Sequence, residues 1–139
     1  MAIIDKPSDY FNTVLYTGNG STQSITGVGF QPDLIWGKSR NQTEGHSWND
    51  VVRGATKSIL SNTSAAQETI SGVTSFNSDG FSLGSNAHMN ANSSSMVSWN
   101  WKAGGSASSN TTGSINSSVS VNTDAGFSIV KYTGNATVS

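Results

Sequence analysis

The chain has 139 residues and a formal net charge of -1, and only 11% of its residues are charged. Ser, Thr, Asn and Gly make up about half of it, and Cys is absent, which excludes a disulfide framework and a thiolate metal site. The charge balance lacks the basic footprint of a nucleic-acid-binding protein, so no nucleic-acid partner is expected. No apolar run is long enough to insert into a membrane, and residues 1–6 do not have the pattern of a secretory signal.

The first third of the chain predicts short strands. Alternation over 11–17 predicts a strand, the Asn-Gly turn over 18–21 predicts a hairpin, and 24–26 is its predicted returning strand. A strand over 34–39 is apolar on both faces near its start, which is typical of a central position. Gly37 within that strand indicates a bulge or the close approach of a neighbour.

The middle of the chain continues the pattern. Its predicted segments are a polar loop over 41–54, strands over 57–61, 73–77 and 80–84, a helical turn within 64–70, and a solvated loop over 85–95. The clearest alternation, over 96–102, predicts a core face of Val97, Trp99 and Trp101 and a wet face of Ser98, Asn100 and Lys102. The spacing of the turn signals favours an all-β fold, an antiparallel β-sandwich.

An internal repeat organises the chain. Residues 127–135 repeat residues 11–19 at a constant offset of 116 positions, with six identities in nine. The sequence therefore predicts one complete module over 1–103, a flexible Gly/Ser-rich linker over 104–112, and the opening strands of a second, incomplete repeat over 113–139. Because a lone hairpin is marginally stable at best, we expect the chain to be a fragment of a longer tandem array. The alternatives are that 113–139 pairs with another chain or with the first module.

Residues that could carry chemistry are sparse. The two Glu and six Asp are scattered in turns, whereas a glycosidase needs two facing carboxyl groups, and the spacing of the His residues does not match a metal motif. We therefore expect no enzymatic activity, no catalytic residues, no cofactor and no metal site. Two alternatives stay open: a glycan-cleaving enzyme that uses Asp50 or Glu44, and a Ca²⁺ site built from Asp33, Asn77 or Asp79.

The 41–54 segment contains the best candidates for binding. Trp48 lies in the predicted loop beside His46, Asn49 and Asp50, and this combination of an aromatic ring with polar side chains is typical of glycan contacts. The alternative for Trp48 is that it closes the end of the sandwich. Asp50 and Arg53 are predicted to form a structural pair that fixes the loop.

Five stretches carry a resemblance to a known family: 6–20, 29–40, 50–54, 75–81 and 99–104. Together they resemble a repeat module of large structural and tail-fibre-like proteins of marine bacteriophages. The resemblance implies a concanavalin A-like or laminin-G-like jelly roll, and it implies no catalytic residues. Gly37 departs from the family pattern, in which a large apolar residue is expected.

The resemblance also implies a function. The chain is expected to be a virion structural protein, a module of a tail fibre or surface appendage used in host attachment, with a host surface glycan as a ligand. Expected partners are other virion proteins and further copies of the chain, with a trimer favoured because fibres are commonly trimeric. The alternative is a decoration or scaffold module bound to the capsid without a ligand.

Overall fold

The computed structural model describes residues 4–136. Residues 1–3 and 137–139, at the two ends of the predicted modules, lie outside the described residues, and residues 1–3 also belong to the stretch that predicts no secretory signal. The elements in chain order are a 3-10 turn at Pro7–Asp9, β1 Phe11–Thr17, β2 Gln23–Ile25, β3 Leu34–Ser39, β4 Ser47–Asp50, β5 Lys57–Leu60, β6 Glu68–Thr69, β7 Val73–Asn77, β8 Gly80–Leu83, helix α1 Ala87–Asn90, β9 Ser95–Trp101, β10 Ser108–Asn110, β11 Ser117–Asn122 and β12 Phe127–Tyr132.

The strands form three antiparallel sheets. The large sheet has the order β1-β9-β3-β4-β5-β6, the small sheet has the order β2-β8-β7, and the C-terminal sheet has the order β10-β11-β12. This arrangement confirms the predicted all-β sandwich and the central position of β3, while the jelly-roll topology stays a prediction. In the part of the chain that the structure describes, no helix has the length and apolar character needed to cross a membrane.

The core lies between the large and the small sheet. Its buried side chains are Ile25, Val28, Phe30, Ile35, Val73, Phe81, Leu83 and Met89. Val14 and Tyr16 of β1 pack against this cluster, and the Tyr16 ring meets the Phe81 ring edge-on at 6.2 Å. The Tyr16 hydroxyl donates a hydrogen bond to the Met89 carbonyl at 2.7 Å, and burial raises its pKa. Gly37 is where Met89 packs on β3, because a Cβ there would lie 2.3 Å from the Met89 sulfur.

The predicted hairpin over 11–26 is wrong. β1 pairs with β9 in the large sheet, whereas β2 pairs with β8 in the small sheet, so the Asn-Gly turn carries the chain from one sheet to the other. Contacts distant in sequence hold this turn: the Asn19 N–H donates to the Asn90 side chain at 2.8 Å, and Gly20 N–H donates to the Asn90 carbonyl at 2.9 Å. A turn that is tied to a distant helix does not close a local hairpin.

Four segments also differ from their sequence-based predictions. The loop over 41–54 contains β4, the helical turn within 64–70 is replaced by β6, and the solvated loop over 85–95 contains helix α1 with Met89 and Asn90 buried. β10 lies within the predicted linker, where it pairs with β11. Pairing with another strand orders the three short strands, and the packing of Met89 against β3 at Gly37 orders helix α1.

The faces of β9 are the reverse of the prediction. Cross-strand pairing places Asn100 opposite Ile35, a core residue, and places Trp99 opposite Trp36. Because paired residues share a face, Ser98 and Asn100 lie on the inner face, where both are fully buried. The Asn100 side-chain amide donates to the Ser98 hydroxyl at 3.1 Å and to the Asn12 carbonyl at 3.1 Å. These bonds satisfy the buried amide N–H groups of Asn100, whereas its Oδ1 is buried and finds no partner among residues 4–136.

The Asp79 carboxylate forms a pH-dependent connection, which we call the clamp, between the loop 27–29 and the β7–β8 turn. Its two carboxylate oxygens accept hydrogen bonds from the N–H groups of Gly27, at 3.0 Å, and Gly29, at 2.7 Å. These two bonds hold the pKa of Asp79 below its ordinary value. The clamp is therefore complete above the pKa of an unfolded aspartate, about 3.9, and is lost as the pH falls through the lower pKa of the folded state.

We expect Asp79→Asn to destabilise the protein at neutral pH and to have progressively less effect as the pH falls below about 4. Urea unfolding of the wild type and the variant at several pH values measures the difference. Asp124→Asn, at an exposed aspartate of another turn, is the matched control. A wild-type-to-variant difference that stays constant from pH 7 to pH 2 would contradict the assignment.

Candidate functional site

The outer face of the large sheet gathers all four tryptophans. Trp36, Trp48, Trp99 and Trp101 alternate with inward-facing residues along β3, β4 and β9, and with Phe11 of β1 they form what we call the aromatic face. The Trp36 ring lies 4.7 Å from that of Trp99 and 5.7 Å from that of Trp48. All four indoles are half-buried. The aromatic face is therefore a second packing surface of the sheet, on the side away from the core.

The C-terminal sheet lies against the aromatic face. Phe127 of β12 stacks on Trp101 at 6.4 Å with an interplanar angle of 24°. Phe11 packs on the same indole from β1, with ring centroids 5.0 Å apart. Beside this contact, a cavity of about 270 Å³ separates residues 129–132 of β12 from Asp50, Arg53 and Ile59 of the sandwich. The two parts of the chain thus touch at Trp101 and leave an open space along β12.

The four predicted glycan contacts do not form one surface. Trp48 lies in β4 rather than in a loop, and Asn49, the next residue, is fully buried on the opposite face. The side-chain amide of Asn49 donates to the carbonyls of Ala55 and Lys57, both at 3.0 Å. The indole N–H of Trp48 is also buried and finds no acceptor among residues 4–136. His46 precedes β4 and is half-buried.

Asp50 and Arg53 form the ion pair expected of them. The Arg53 Nε donates to Asp50 Oδ2 at 2.5 Å, and the Arg53 backbone N–H donates to Asp50 Oδ1 at 2.8 Å. A third bond runs from Arg53 Nη2 to the Trp48 carbonyl at 2.8 Å. The pair closes the turn after β4 and holds the end of that strand beside the cavity. Asp50 is 5% exposed, so its carboxylate serves this turn.

The remaining acidic candidates also have protein partners. Glu44 approaches the His88 ring, with 3.3 Å between the carboxylate oxygen and Nδ1. Asp79 and Asp33 each bind backbone N–H groups, in different parts of the fold. Within residues 4–136, no cluster of three or more His, Asp or Glu side chains could hold a metal ion. The chemical role of the aspartates is therefore to accept hydrogen bonds from backbone N–H groups and so hold backbone segments together.

A buried carboxylate organises the connection between the sandwich and the C-terminal sheet. Asp33, 2% exposed, begins the turn into β3. Its Oδ2 accepts hydrogen bonds from the backbone N–H groups of Ala103, at 2.8 Å, and Gly105, at 3.1 Å, and its Oδ1 accepts one from Gln31 at 3.2 Å. A charged acceptor strengthens such bonds. We call this connection, formed by Asp33, 103–105 and the residues of β11 that bind them, the joint.

β11 completes the joint from the other side. The Gly104 N–H donates to the Ser120 hydroxyl at 3.0 Å, and that hydroxyl donates to the Gly105 carbonyl at 2.7 Å. The Asn122 side chain donates to the Ala103 carbonyl at 3.3 Å. Ser120 is 1% exposed, so the joint is closed to solvent at its centre. The segment predicted to be a flexible linker, 104–112, thus begins with two residues whose backbone groups are bound by Asp33 and Ser120.

Gly104 sits where the joint is tightest. A Cβ on this residue would lie 2.2 Å from the Val121 carbonyl oxygen, which is backbone and has little freedom to move. We expect Gly104→Ala to loosen the C-terminal sheet, with amide exchange in β11 and β12 accelerated roughly 10- to 100-fold and the sandwich preserved. Hydrogen exchange followed by mass spectrometry measures both parts of the chain at once.

The matched control is Gly113→Ala, because a Cβ there would meet only the Ile115 carbonyl, at 3.9 Å. Equal exchange rates in the two variants would contradict the joint. No local pattern indicates the roles of Asp33 and Gly104, because their partners lie 70 and about 16 positions away. A turn aspartate that binds its own loop has the same local pattern.

Comparison with known families and proteins gives one match. The model of a family described as a domain of unknown function (DUF7483) matches residues 6–139, nearly the whole chain. The match extends over the sandwich, the joint and the C-terminal sheet. Neither the curated proteins nor the solved structures gave a significant match.

Proposed function

This chain belongs to the DUF7483 family of domains of unknown function, and we propose that it is a structural repeat module of a bacteriophage tail fibre or surface appendage that takes part in host attachment. The resemblance of its sequence motifs to tail-fibre-like proteins supports the virion assignment. The fold supports a structural role, because the polar side chains and carboxylates described above are engaged in holding backbone segments together.

The joint is the observation that carries the proposal. An elongated protein built from repeated modules keeps a defined shape only when each module is held at a fixed angle to the next. Here the segment that repeats the start of the first module is fastened to that module by a buried carboxylate, a buried serine and a stacked aromatic pair. Such a connection suits an extended appendage that must keep its shape.

Antibody labelling of virions tests the assignment. Antibodies raised against the purified chain are applied to purified bacteriophage particles and located by electron microscopy. We expect label on the tail or on a surface appendage. Label spread over the capsid shell would favour the alternative, a capsid-bound decoration module without a ligand. A surface role would be contradicted if mass spectrometry detects the protein in the particles but the antibodies label neither the tail or appendages nor the capsid shell, even after mild denaturation.

Attachment is tested separately. Pre-incubating host cells with the purified chain should reduce adsorption of the bacteriophage, and sedimentation should give three times the monomer mass if the appendage is trimeric.

A glycan array tests the ligand, with His46→Ala as the variant because His46 retains exposed surface while Asn49 and Asp50 are buried. Unchanged adsorption together with no bound glycan would contradict the role in host attachment and leave the structural role in place.

A further inference from the structure

β12 repeats the residues that seat β1 in the large sheet. In the first copy, the Phe11 ring packs at a tilt against Trp101, Val14 packs against the core, and the Tyr16 hydroxyl donates to the Met89 carbonyl at 2.7 Å. The identical residues at the offset of 116 are Phe127, Val130 and Tyr132. The repeat therefore preserves the side chains through which β1 contacts the rest of its module.

The turn after β1 is preserved as well. A Cβ on Gly18 would lie 2.2 Å from the Ala91 carbonyl oxygen, so this position accepts only glycine. Asn19 exchanges hydrogen bonds with the Asn90 side chain, at 2.8 and 3.0 Å. Gly134 and Asn135 stand at the same two positions of the repeat. Random similarity would not select the contact-making positions in this way.

The positions that differ are less constrained in the first copy. Thr13 and Leu15 lie on the exposed outer face of β1, and Leu15 is 62% exposed. Their counterparts, Ile129 and Lys131, share the face of β12 with Phe127, whose ring stacks on Trp101 of the sandwich. Asn12, which donates to the Val28 carbonyl at 3.0 Å, is the one inward-facing residue that changes, to Ser128.

The inward-facing residues of β1 have exposed counterparts in β12. Val130 is 51% exposed and Tyr132 is 65% exposed, although their equivalents Val14 and Tyr16 pack against a core. Val121 of β11, on the same face by its pairing with Ser128, is 52% exposed. The C-terminal sheet thus presents an apolar face on the side away from the aromatic face.

One edge of β12 is open too. Among residues 4–136, β12 pairs with β11 alone, and the 270 Å³ cavity is lined by four consecutive residues of β12 and none of β11. An open strand edge offers unpaired backbone groups to a further strand. The strand that pairs with the same sequence pattern in this structure is β9, in the register that sets Phe11 opposite Trp101 and Tyr16 opposite Met96.

We propose that β12 is the docking strand for a second copy of this module that has no β1 of its own: it fills the β1 position of that copy, pairs with the copy's β9 with Phe127 opposite Trp101 and Tyr132 opposite Met96, and buries Val130 and Tyr132 in the copy's core. The C-terminal sheet then belongs to two modules at once. Through the joint it is fixed to the first sandwich, and through β12 it is part of the second.

A strand graft in the full chain tests whether the β12 sequence fits the β1 position. The triple variant Asn12→Ser, Thr13→Ile, Leu15→Lys converts residues 11–19 to the sequence of residues 127–135. We expect cooperative unfolding, with a urea midpoint within about 1 M of the wild type. The matched control, Val14→Ser with Tyr16→Lys, changes the preserved positions instead and should abolish folding. A triple variant that behaves like the control would overturn the proposal.

An extended chain tests the docking itself. Residues 20–103 are appended a second time after Asn135 of the otherwise intact chain, which supplies a second β9 and core. Because residues 20–103 contain no Tyr, the extension adds none, and peptide mapping separates nitration of Tyr132 from that of Tyr10 and Tyr16. We expect Tyr132 to react readily in the original chain and roughly tenfold or more slowly in the extended one, approaching Tyr16.

Val130→Asp in the extended chain should restore the reactivity of Tyr132 and leave the first sandwich folded. Lys131→Ser is the matched control, since the equivalent of Lys131 lies on the outer face of β1, and it should keep Tyr132 protected. Undiminished nitration of Tyr132 in an extended chain whose graft variant folds would overturn the docking, because the strand then fits the position but does not occupy it.

Discussion

Replacing Asp33 with alanine is expected to lower the free energy of unfolding by roughly 4 kcal/mol. The variant removes the acceptor of three hydrogen bonds, from Ala103, Gly105 and Gln31, and leaves the buried N–H of Ala103 without its partner. Hydrogen bonds to a charged group contribute about 1.5–3 kcal/mol each, and a buried donor left unsatisfied costs about 1–3 kcal/mol. Urea unfolding followed by tryptophan fluorescence measures the loss, since Trp101 lies beside the joint.

Asp33→Asn separates the hydrogen bonds from the charge. The asparagine keeps one oxygen that accepts from the two backbone N–H groups, so we expect it to lose only about 1–2 kcal/mol. Hydrogen exchange should also accelerate in β11 and β12 more in the alanine variant than in the asparagine variant, because the joint fastens that sheet. An alanine variant as stable as the wild type would show that the carboxylate does not hold the joint, and equal losses in the two variants would show that its charge, rather than the hydrogen-bond acceptor alone, is required.

The strands of the sandwich could be predicted because the signal for a strand is local. Alternation over 11–17 predicted β1, the apolar start of 34–39 predicted β3, and the short segments over 73–77 and 80–84 predicted β7 and β8. The close approach at Gly37 could also be predicted, because a glycine inside a strand leaves space into which a neighbouring residue packs. These features depend on a few neighbouring residues.

The assignment of strands to sheets could not be predicted in the same way. The Asn-Gly turn after β1 has the local chemistry of a hairpin, and only Asn90 and Ala91, some 70 positions away, make it a crossing between sheets. β9 alternates cleanly, but alternation does not say which face meets the core when both faces are covered. The tryptophans lie on the outer face, where their rings pack on one another and Trp101 contacts the C-terminal sheet.

The candidate site shows the same division. Asp50 and Arg53, three positions apart, could be paired from the sequence because their contact is local. Asp33 could not be linked to Ala103 and Gly105, since a buried carboxylate in a distant joint and an exposed one in a turn have the same local sequence. The repeat was the strongest long-range signal in the chain. It identified residues 127–135 as equivalent to residues 11–19, and this equivalence supports the proposed docking strand.

Replacing Asn90 is expected to cause the second large loss in the free energy of unfolding. It is fully buried at the end of helix α1, and its side-chain amide lies 3.0 Å from the Asn19 oxygen, 2.5 Å from the Ser21 carbonyl and 2.8 Å from the Gly84 carbonyl. Its Oδ1 accepts the Asn19 N–H at 2.8 Å. Asn90→Ala removes these bonds together and opens a cavity, so we expect a loss of roughly 3 kcal/mol in the free energy of unfolding.

Asn90→Asp distinguishes the bonds from the volume. Aspartate fills the same space and still accepts from Asn19, but its carboxylate faces the Ser21 and Gly84 carbonyls, which need a donor. We therefore expect it to be at least as destabilising as alanine at neutral pH and to recover stability in acid, where the protonated carboxyl can donate again. Asn116→Ala, at an exposed asparagine, should change the urea midpoint little. If Asn90→Asp is as stable as the wild type at pH 7, the amide does not tie the β1 turn to the helix, and the equivalent role inferred for Asn135 in a second copy fails with it.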